Sequence, residues 1–556
     1  MRVRRITSLF FLLTFLIFSL PIPEPLNLLK IKKEKLDVLK SLNIKILEEL
    51  DTCYIGVAND SELSALNRFK VDFSILVKDI KGKDFFLIYS KSPEDIRKLE
   101  PFGNAIQIEE NTILFWRKEE MGISIPSEFQ KKRLSKDSIT KFLRAPPKIE
   151  FSEGGVRENE IIPLIIDEVS EDNLVYLIDT LQNFQTRYAS TKNCEDAGDF
   201  IYSYLKNLGL ETYFQPFSFR GHSSRNVIAE KKGKTNPEDI FIICAHYDST
   251  SNIPTIFAPG ADDNASGTSA VLESARILVK YPLDFTVRFI CFSAEEWGLY
   301  GSSAYASSAR DKNEKIVGVL NFDMIAYSDK LPEDLEIIVN QNSEWLAERT
   351  IQASKTYYDY PIRKIVSSSF LYSDHASFWQ KGYDAFCAIE DNPIRNPYYH
   401  TTYDTLNTLN IDFLKSVVKL GLATLSDLSQ PIRPDYPETP KGLRAKYVVY
   451  KSLFNSVKNI YISWNRVEGA MGYNVYRTTI SHLNYKRLNL TPVLNNFFED
   501  KNLKTGISYY YVVTALDSSG KESNYSQEVG VFEKGNSEDK FFLFYSPKVL
   551  NDDKNF

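Results

Sequence analysis

A strand-length apolar run, F-I-I-C-A-H at residues 241–246, stops at a histidine, passes through Asp248 and leads into a loop of small and acidic residues, P-G-A-D-D-N-A-S-G at 259–267. A run of this kind reads as a buried strand that delivers polar groups at its carboxyl end. Two further apolar runs, 287–292 and 316–322, are followed by Glu295 with Glu296 and by Asp323. In an open parallel sheet the carboxyl ends lie side by side and line one crevice, so His246, Asp248, Glu295, Glu296 and Asp323 should converge.

Carboxylates crowded at one sheet edge repel one another and lose solvation unless a cation offsets both effects. Oxygen donors mixed with imidazole suit zinc or manganese, and the lack of a thiolate disfavours a purely structural zinc site. Asp263 lies in a loop whose small residues permit close approach, just before a helix. His400 lies in P-Y-Y-H-T-T-Y-D-T, after the apolar run 385–389, and S-D-H at 373–375 opens a further helix. Asp374 and His375 read as structural, and His222 and His482 as surface residues.

The motifs H-Y-D, P-G-A-D-D-N-A-S-G, S-A-E-E-W-G-L-Y-G-S, N-F-D-M-I and Y-H-T-T-Y-D-T occur in that order. Together they resemble the di-zinc metallopeptidase family of secreted bacterial leucine aminopeptidases and glutamate carboxypeptidase, over about residues 183–427. The resemblance implies two zinc ions, His246 and Asp323 on one, Glu296 and His400 on the other, with Asp263 bridging. It also implies a cis peptide after Asp263 and no ligand role for Asp262. Glu296 is then committed to metal, which leaves Glu295 free as the general base that takes a proton from water and passes it to the departing amine. Asp248 is placed to accept the other N–H of His246, and Asp404 to do the same for His400. Tyr399 resembles the tyrosine that some family members use as an oxyanion donor.

The elements that must position these residues alternate between strand and helix. Strands are expected at 226–230, 240–245, 287–292 and 316–322, and helices at 175–181, 194–208, 266–281 and 299–310. That alternation predicts an α/β domain over 161–430, a mixed, largely parallel sheet flanked by helices. Before it, residues 26–147 read as a small α+β domain, propeptide-like or accessory, with strands at 53–58, 84–89 and 112–116. The charged and proline-bearing stretches at 131–138 and 144–148 read as linker, continuing through 148–160. After the peptidase-like region, 437–531 shows alternating strands, a core Trp464 and a tyrosine-corner candidate at Tyr509. It resembles a fibronectin type III sandwich, an all-β spacer or docking module for a further partner. The tail 532–556 has no assignment.

The remaining bounds are broad. The chain has 556 residues, 43% hydrophobic, with a net charge of −6, which gives no basic nucleic-acid footprint. Three of its five cysteines lie in apolar runs and read as buried thiols, with no disulfide framework. Residues 1–25 open with three arginines and an apolar run too short for an ordinary spanning helix, which predicts an export signal, or a membrane anchor if it is retained. The expectation is therefore a secreted or envelope-located zinc exopeptidase acting on peptides, an aminopeptidase first. A carboxypeptidase or dipeptidase of the same fold, and a non-catalytic peptidase-like binding protein, are the alternatives. Glutaminyl cyclases share the architecture but use one zinc, and five intact ligands set this chain apart from them.

Overall fold

A computed structural model describes residues 25–90, 92, 94–118, 125–126, 129–135, 137–144, 158–330, 333–391, 395–451, 456–501, 503–504 and 506–532. Residues 1–24, 145–157 and 533–556 lie outside the described residues, and with them nearly all of the segment expected to direct export, most of the linker expected at 148–160, and the tail. Among the described residues no helix is long and apolar enough to cross a membrane.

The described chain forms two compact units. The first takes residues up to 85 with 116–118 and 134–141. Its antiparallel sheet has the order β2-β3-β1-β4, from β1 (Asn27–Lys32), β2 (Lys45–Glu49), β3 (Cys53–Ala58) and β4 (Phe73–Val77). The helix Asp60–Arg68 beside it begins in a capping box, where Asn59 and Glu62 each satisfy the other's main-chain N–H.

The second unit takes 86–115, 125–133 and 142 onward. It holds most of a further sheet, of order β6-β7-β5-β8, from β5 (Lys83–Tyr89), β6 (Asn104–Glu109), β7 (Thr112–Lys118) and β8 (Lys131–Arg133). Residues 26–147 thus contain two four-stranded sheets. Lys131 to Arg133, read above as linker, form the edge strand β8, paired with Phe86 to Ile88 of β5. A basic triplet carries no apolar alternation, so its strand character comes from its partner strand and could not be read locally.

The main sheet of this unit has eight strands in the order β15-β14-β16-β13-β11-β12-β10-β9. They are β9 (Glu211–Phe219), β10 (His222–Lys231), β11 (Asn236–His246), β12 (Phe285–Phe292), β13 (Lys315–Phe322), β14 (Leu335–Val339), β15 (Ile362–Val366) and β16 (Ala385–Glu390). The central pairs β11 with β12, β11 with β13 and β13 with β16 are parallel, while β10 pairs antiparallel with both β9 and β12. The sheet is thus mixed with a parallel centre, as expected. Both faces are buried. Phe241, Ile243 and Ala245 join the core under the helices Glu171–Gln182, Lys192–Asn207, Gly267–Leu278 and Ile411–Ser429. Ile240, Ile242 and Cys244 join the opposite core under Tyr300–Asp311 and His375–Gln380. A strand buried on both faces is apolar throughout, which explains the unbroken run before His246. All five cysteines are buried thiols outside any disulfide.

The carboxyl-terminal region is a sandwich of two antiparallel sheets. The first, β17-β18-β21, is built from β17 (Arg444–Lys451), β18 (Ser456–Ser463) and β21 (Phe497–Asp500). The second, β20-β19-β22-β23, is built from β19 (Gly472–Thr478), β20 (Lys486–Arg487), β22 (Tyr509–Leu516) and β23 (Val529–Val531). Trp464 is buried against Tyr473, and the Tyr509 hydroxyl accepts the main-chain N–H of Lys504 at 2.7 Å. His222 is exposed, and His482 is partly exposed at the surface. It lies against Trp345, ring centroids 4.9 Å apart, and 3.7 Å from Glu528. The neighbouring Ile480 and Leu483 join the core that packs on the eight-stranded sheet.

Candidate metal centre

Register brings the strand ends together. Cys244 of β11 pairs with Asn321 of β13, so His246 and Asp323, each two residues further on, stand level. On the other side His246 pairs with Phe292 of β12, and Glu295 and Glu296 follow in the next turn. Those turns use left-handed backbone at Ala294 and Met324, and His400 is left-handed too (φ 56°).

The loop carrying Asp263 is held tightly. Gly260 has φ 53°, and a Cβ there would stand 2.4 Å from the Asp263 carbonyl; one at Gly267 would stand 2.4 Å from the Phe322 carbonyl. Only glycine fits such approaches. Asn264 donates to the Phe322 carbonyl at 2.9 Å and accepts from the Gly267 N–H at 2.8 Å. The Asp263–Asn264 peptide is cis.

The two oxygens of Asp263 face different partners. Oδ1 lies 3.3 Å from His246 Nε2, which is also 3.3 Å from Asp323 Oδ1. Oδ2 lies 3.0 Å from His400 Nε2, which is also 3.0 Å from Glu296 Oε2. All five side chains are buried. Two groups that could each hold an ion result, His246 with Asp263 and Asp323, and Asp263 with Glu296 and His400. Zinc bound tetrahedrally at about 2.0–2.1 Å keeps its ligand atoms about 3.3 Å apart, close to these separations. A buried Glu296 oxygen, Oε1, has no hydrogen-bond partner, as suits a group whose remaining lone pairs face a cation.

The electrostatics agree with that fit. Burial, with Glu296 and Asp323 adding to it and His246 opposing, pushes the Glu295 carboxyl well above its ordinary range. Burial opposes charge on both histidines, yet Asp323 and Glu295 carry His246 well above its usual value, and Glu296 and Asp263 carry His400 to about 10. The cluster therefore draws in positive charge.

Asp262 turns away, as expected of a non-ligand. Its oxygens accept the Ala326 N–H at 2.9 Å and the Asn396 amide at 3.0 Å. Burial and the nearby Asp404 raise its carboxyl to about 8. Asp248 reaches the His246 ring assigned to it and, like Asp404, also holds main chain. The Asp248 carboxylate accepts the N–H of Glu295 at 3.2 Å and of Glu296 at 3.3 Å. Its carbonyl oxygen is the nearer partner of His246 Nδ1, at 3.1 Å, with carboxylate Oδ1 at 3.6 Å. The Asp404 carboxylate accepts the N–H of Asp262 at 2.8 Å and of Asp263 at 3.0 Å. A carboxylate has acceptor sites for two adjacent donors, and a double main-chain grip uses both oxygens. Tyr399 stacks on His400, ring centroids 3.8 Å apart. Asp374 is fully buried, and His375 donates through Nε2 to the Phe370 carbonyl at 2.8 Å inside a core of Phe370 and Trp379, which fits the structural reading.

Two residues had no sequence signal. Arg187, fully buried, donates to the carbonyls of Tyr247, Leu181, Pro259 and Gly260, tying the segment after His246 to the loop before Asp263. Lys131 of β8 lines the centre together with Phe129 and Gln130.

This fold and this donor set define a metallopeptidase class, and the comparisons narrow it. Residues 226–425 match Peptidase family M28. Leucine aminopeptidase 1 of Phaeosphaeria nodorum is 30% identical over 314 residues, covering 52% of this chain and 77% of that protein. Aminopeptidase YwaD of Bacillus subtilis is 35% identical over 216 residues, covering 37% of this chain and 45% of that protein. The solved structure of the LapA aminopeptidase of Legionella pneumophila aligns with a TM-score of 0.47 at 18% identity, covering 74% of this chain and all of that one. The chain belongs to peptidase family M28, and at family level it is a zinc-dependent aminopeptidase.

Proposed function

We propose that the enzyme removes amino-terminal residues from peptides at a centre of two zinc ions. The observation that carries this reading is the division of the Asp263 carboxylate, one oxygen toward His246 and Asp323 and the other toward His400 and Glu296. His246 and Asp323 would hold one ion, His400 and Glu296 the other, and Asp263 both. Zinc held there supplies Lewis-acid polarisation of the scissile carbonyl and lowers the pKa of water. Glu295 belongs to neither group and lies beside both. Its raised basicity suits a general base that takes a proton from the attacking water and returns it to the departing amine. Burial, followed by the charges of Asp263, Glu296 and Glu295, raises the Tyr399 phenol, so it stays protonated and can donate to the developing oxyanion.

Hydrolysis of aminoacyl-arylamides tests this function. Activity should require zinc, disappear with chelator and be lost in Glu295→Gln, and N-blocked peptides should resist cleavage. Cleavage of N-blocked peptides would move the enzyme to the carboxypeptidase reading. Chelator-insensitive turnover would remove the metal mechanism.

The sandwich, with its buried Trp464 and the Tyr509 hydroxyl on an upstream N–H, supports a fibronectin type III-like spacer or docking role. The arginine-led apolar segment at 1–25 supports export. Fractionation of expressing cells, with amino-terminal sequencing of the mature chain, tests the latter.

A further inference from the structure

The cavity at the catalytic centre is only about 20 Å³, bounded by Phe129, Gln130 and Lys131 on one side and by Met324, Tyr372 and Tyr399 among the site residues. One water needs roughly 10–15 Å³ and small-molecule sites run to several hundred. A peptide therefore cannot reach Glu295 while residues 129–131 stay where they are.

Those residues are not loosely draped. Phe129 is buried in a core with Phe86, Ile88 and Phe115, the Gln130 carbonyl accepts the Tyr89 N–H at 3.1 Å, and β8 pairs with β5. The same sheet meets the rim of the centre at Tyr89 and Tyr372, ring centroids 5.3 Å apart, and at Thr112, 3.5 Å from the Tyr372 hydroxyl. Gly298, two residues past Glu296, also packs on the strand, where a Cβ on it would be in van der Waals contact, 3.4 Å from the Arg133 nitrogen and 3.9 Å from the Lys131 carbonyl. Burial lowers the Lys131 ammonium, with the carboxylates of Glu296 and Glu295 opposing.

We propose that residues 129–133 are a built-in plug, so that the full chain is latent and peptide access requires β8 to be displaced or cut free. This rests on the aminopeptidase reading, and it assigns the amino-terminal sheet an inhibitory role. Release by proteolysis has to cut outside the paired strand, since Lys132 is buried within it.

The test uses the zinc-loaded full chain, the same chain after limited trypsin digestion mapped by amino-terminal sequencing, and the variant Lys131→Ala. Two readouts are taken, aminoacyl-arylamide hydrolysis and the rate of zinc transfer to a chromogenic chelator. The plug predicts at least a tenfold rise in both on cleavage, with a smaller rise in uncut Lys131→Ala, which removes a side chain that lines the centre. Equal rates for intact, cleaved and variant chains in both readouts would overturn it. Faster zinc transfer without hydrolysis in any form would uphold the plug and reject the aminopeptidase reading.

Discussion

The carboxylate of Asp404 holds the main chain of Asp263, accepting its N–H at 3.0 Å while the other oxygen accepts the N–H of Asp262 at 2.8 Å. Asp248 grips Glu295 and Glu296 in the same way. Each buried acid therefore positions a pair of acidic residues through their backbone, which leaves the side chains of Asp263, Glu295 and Glu296 to the chemistry.

Replacing Asp404 with Asn leaves one acceptor oxygen for two donors. Zinc affinity is expected to fall by about 10- to 100-fold, the usual loss when a residue that orients a ligand is removed. Competition with a chelator of known affinity measures it, and an unchanged affinity would show that the grip is dispensable.

Glu295 and Glu296 are neighbours with different expected failures. Glu295→Gln should retain zinc and lose about 10²- to 10⁴-fold in kcat. Glu296→Gln should lose bound zinc as well. Metal analysis of both purified variants beside their kinetics separates the roles, and loss of zinc in Glu295→Gln would place that residue among the ligands.

Zinc affinity should rise with pH. His400 is raised to about 10, by Glu296 and Asp263 against the opposing effect of burial, and His246 is raised too, so on the polypeptide's own charges both hold protons at neutral pH. Zinc needs the neutral rings and must displace those protons. Affinity should therefore climb between pH 6 and 9, and calorimetry in buffers of different ionisation enthalpy should register proton release. A flat profile would contradict the ligand set.

Burial pushes His375 down to about 3, against an ordinary value near 6.5. Between those values the unfolded chain binds a proton that the folded chain does not, so stability falls as pH drops below about 6.5, by up to about 1.4 kcal/mol per pH unit. His375→Gln should flatten that slope by up to one proton in urea unfolding between pH 7 and 4. An unchanged slope would show that other groups carry the acid sensitivity.

The legible part of this molecule was the part written in side-chain type. His246, Glu295, Glu296 and Asp323 could be placed because each ends an apolar run, and parallel strands buried on both faces leave no other reading of those runs. The main-chain grips of Asp248 and Asp404 were not legible, since a carboxylate bound to main-chain N–H groups leaves no mark on the residues it holds. Arg187 was hidden for the same reason, because all its partners are carbonyls. Lys131 was misread because K-K-R resembles a solvated linker, and only the strand beside it and the carboxylates before it give it another meaning.

The central claim, that Asp263 stands between two zinc ions, is tested most directly by anomalous scattering at the zinc absorption edge from crystals of the zinc-loaded chain. Two peaks about 3.5 Å apart are expected, one beside His246 and Asp323, the other beside Glu296 and His400, with Asp263 touching both. A single peak, or a pair that leaves Asp263 uncoordinated, would contradict it.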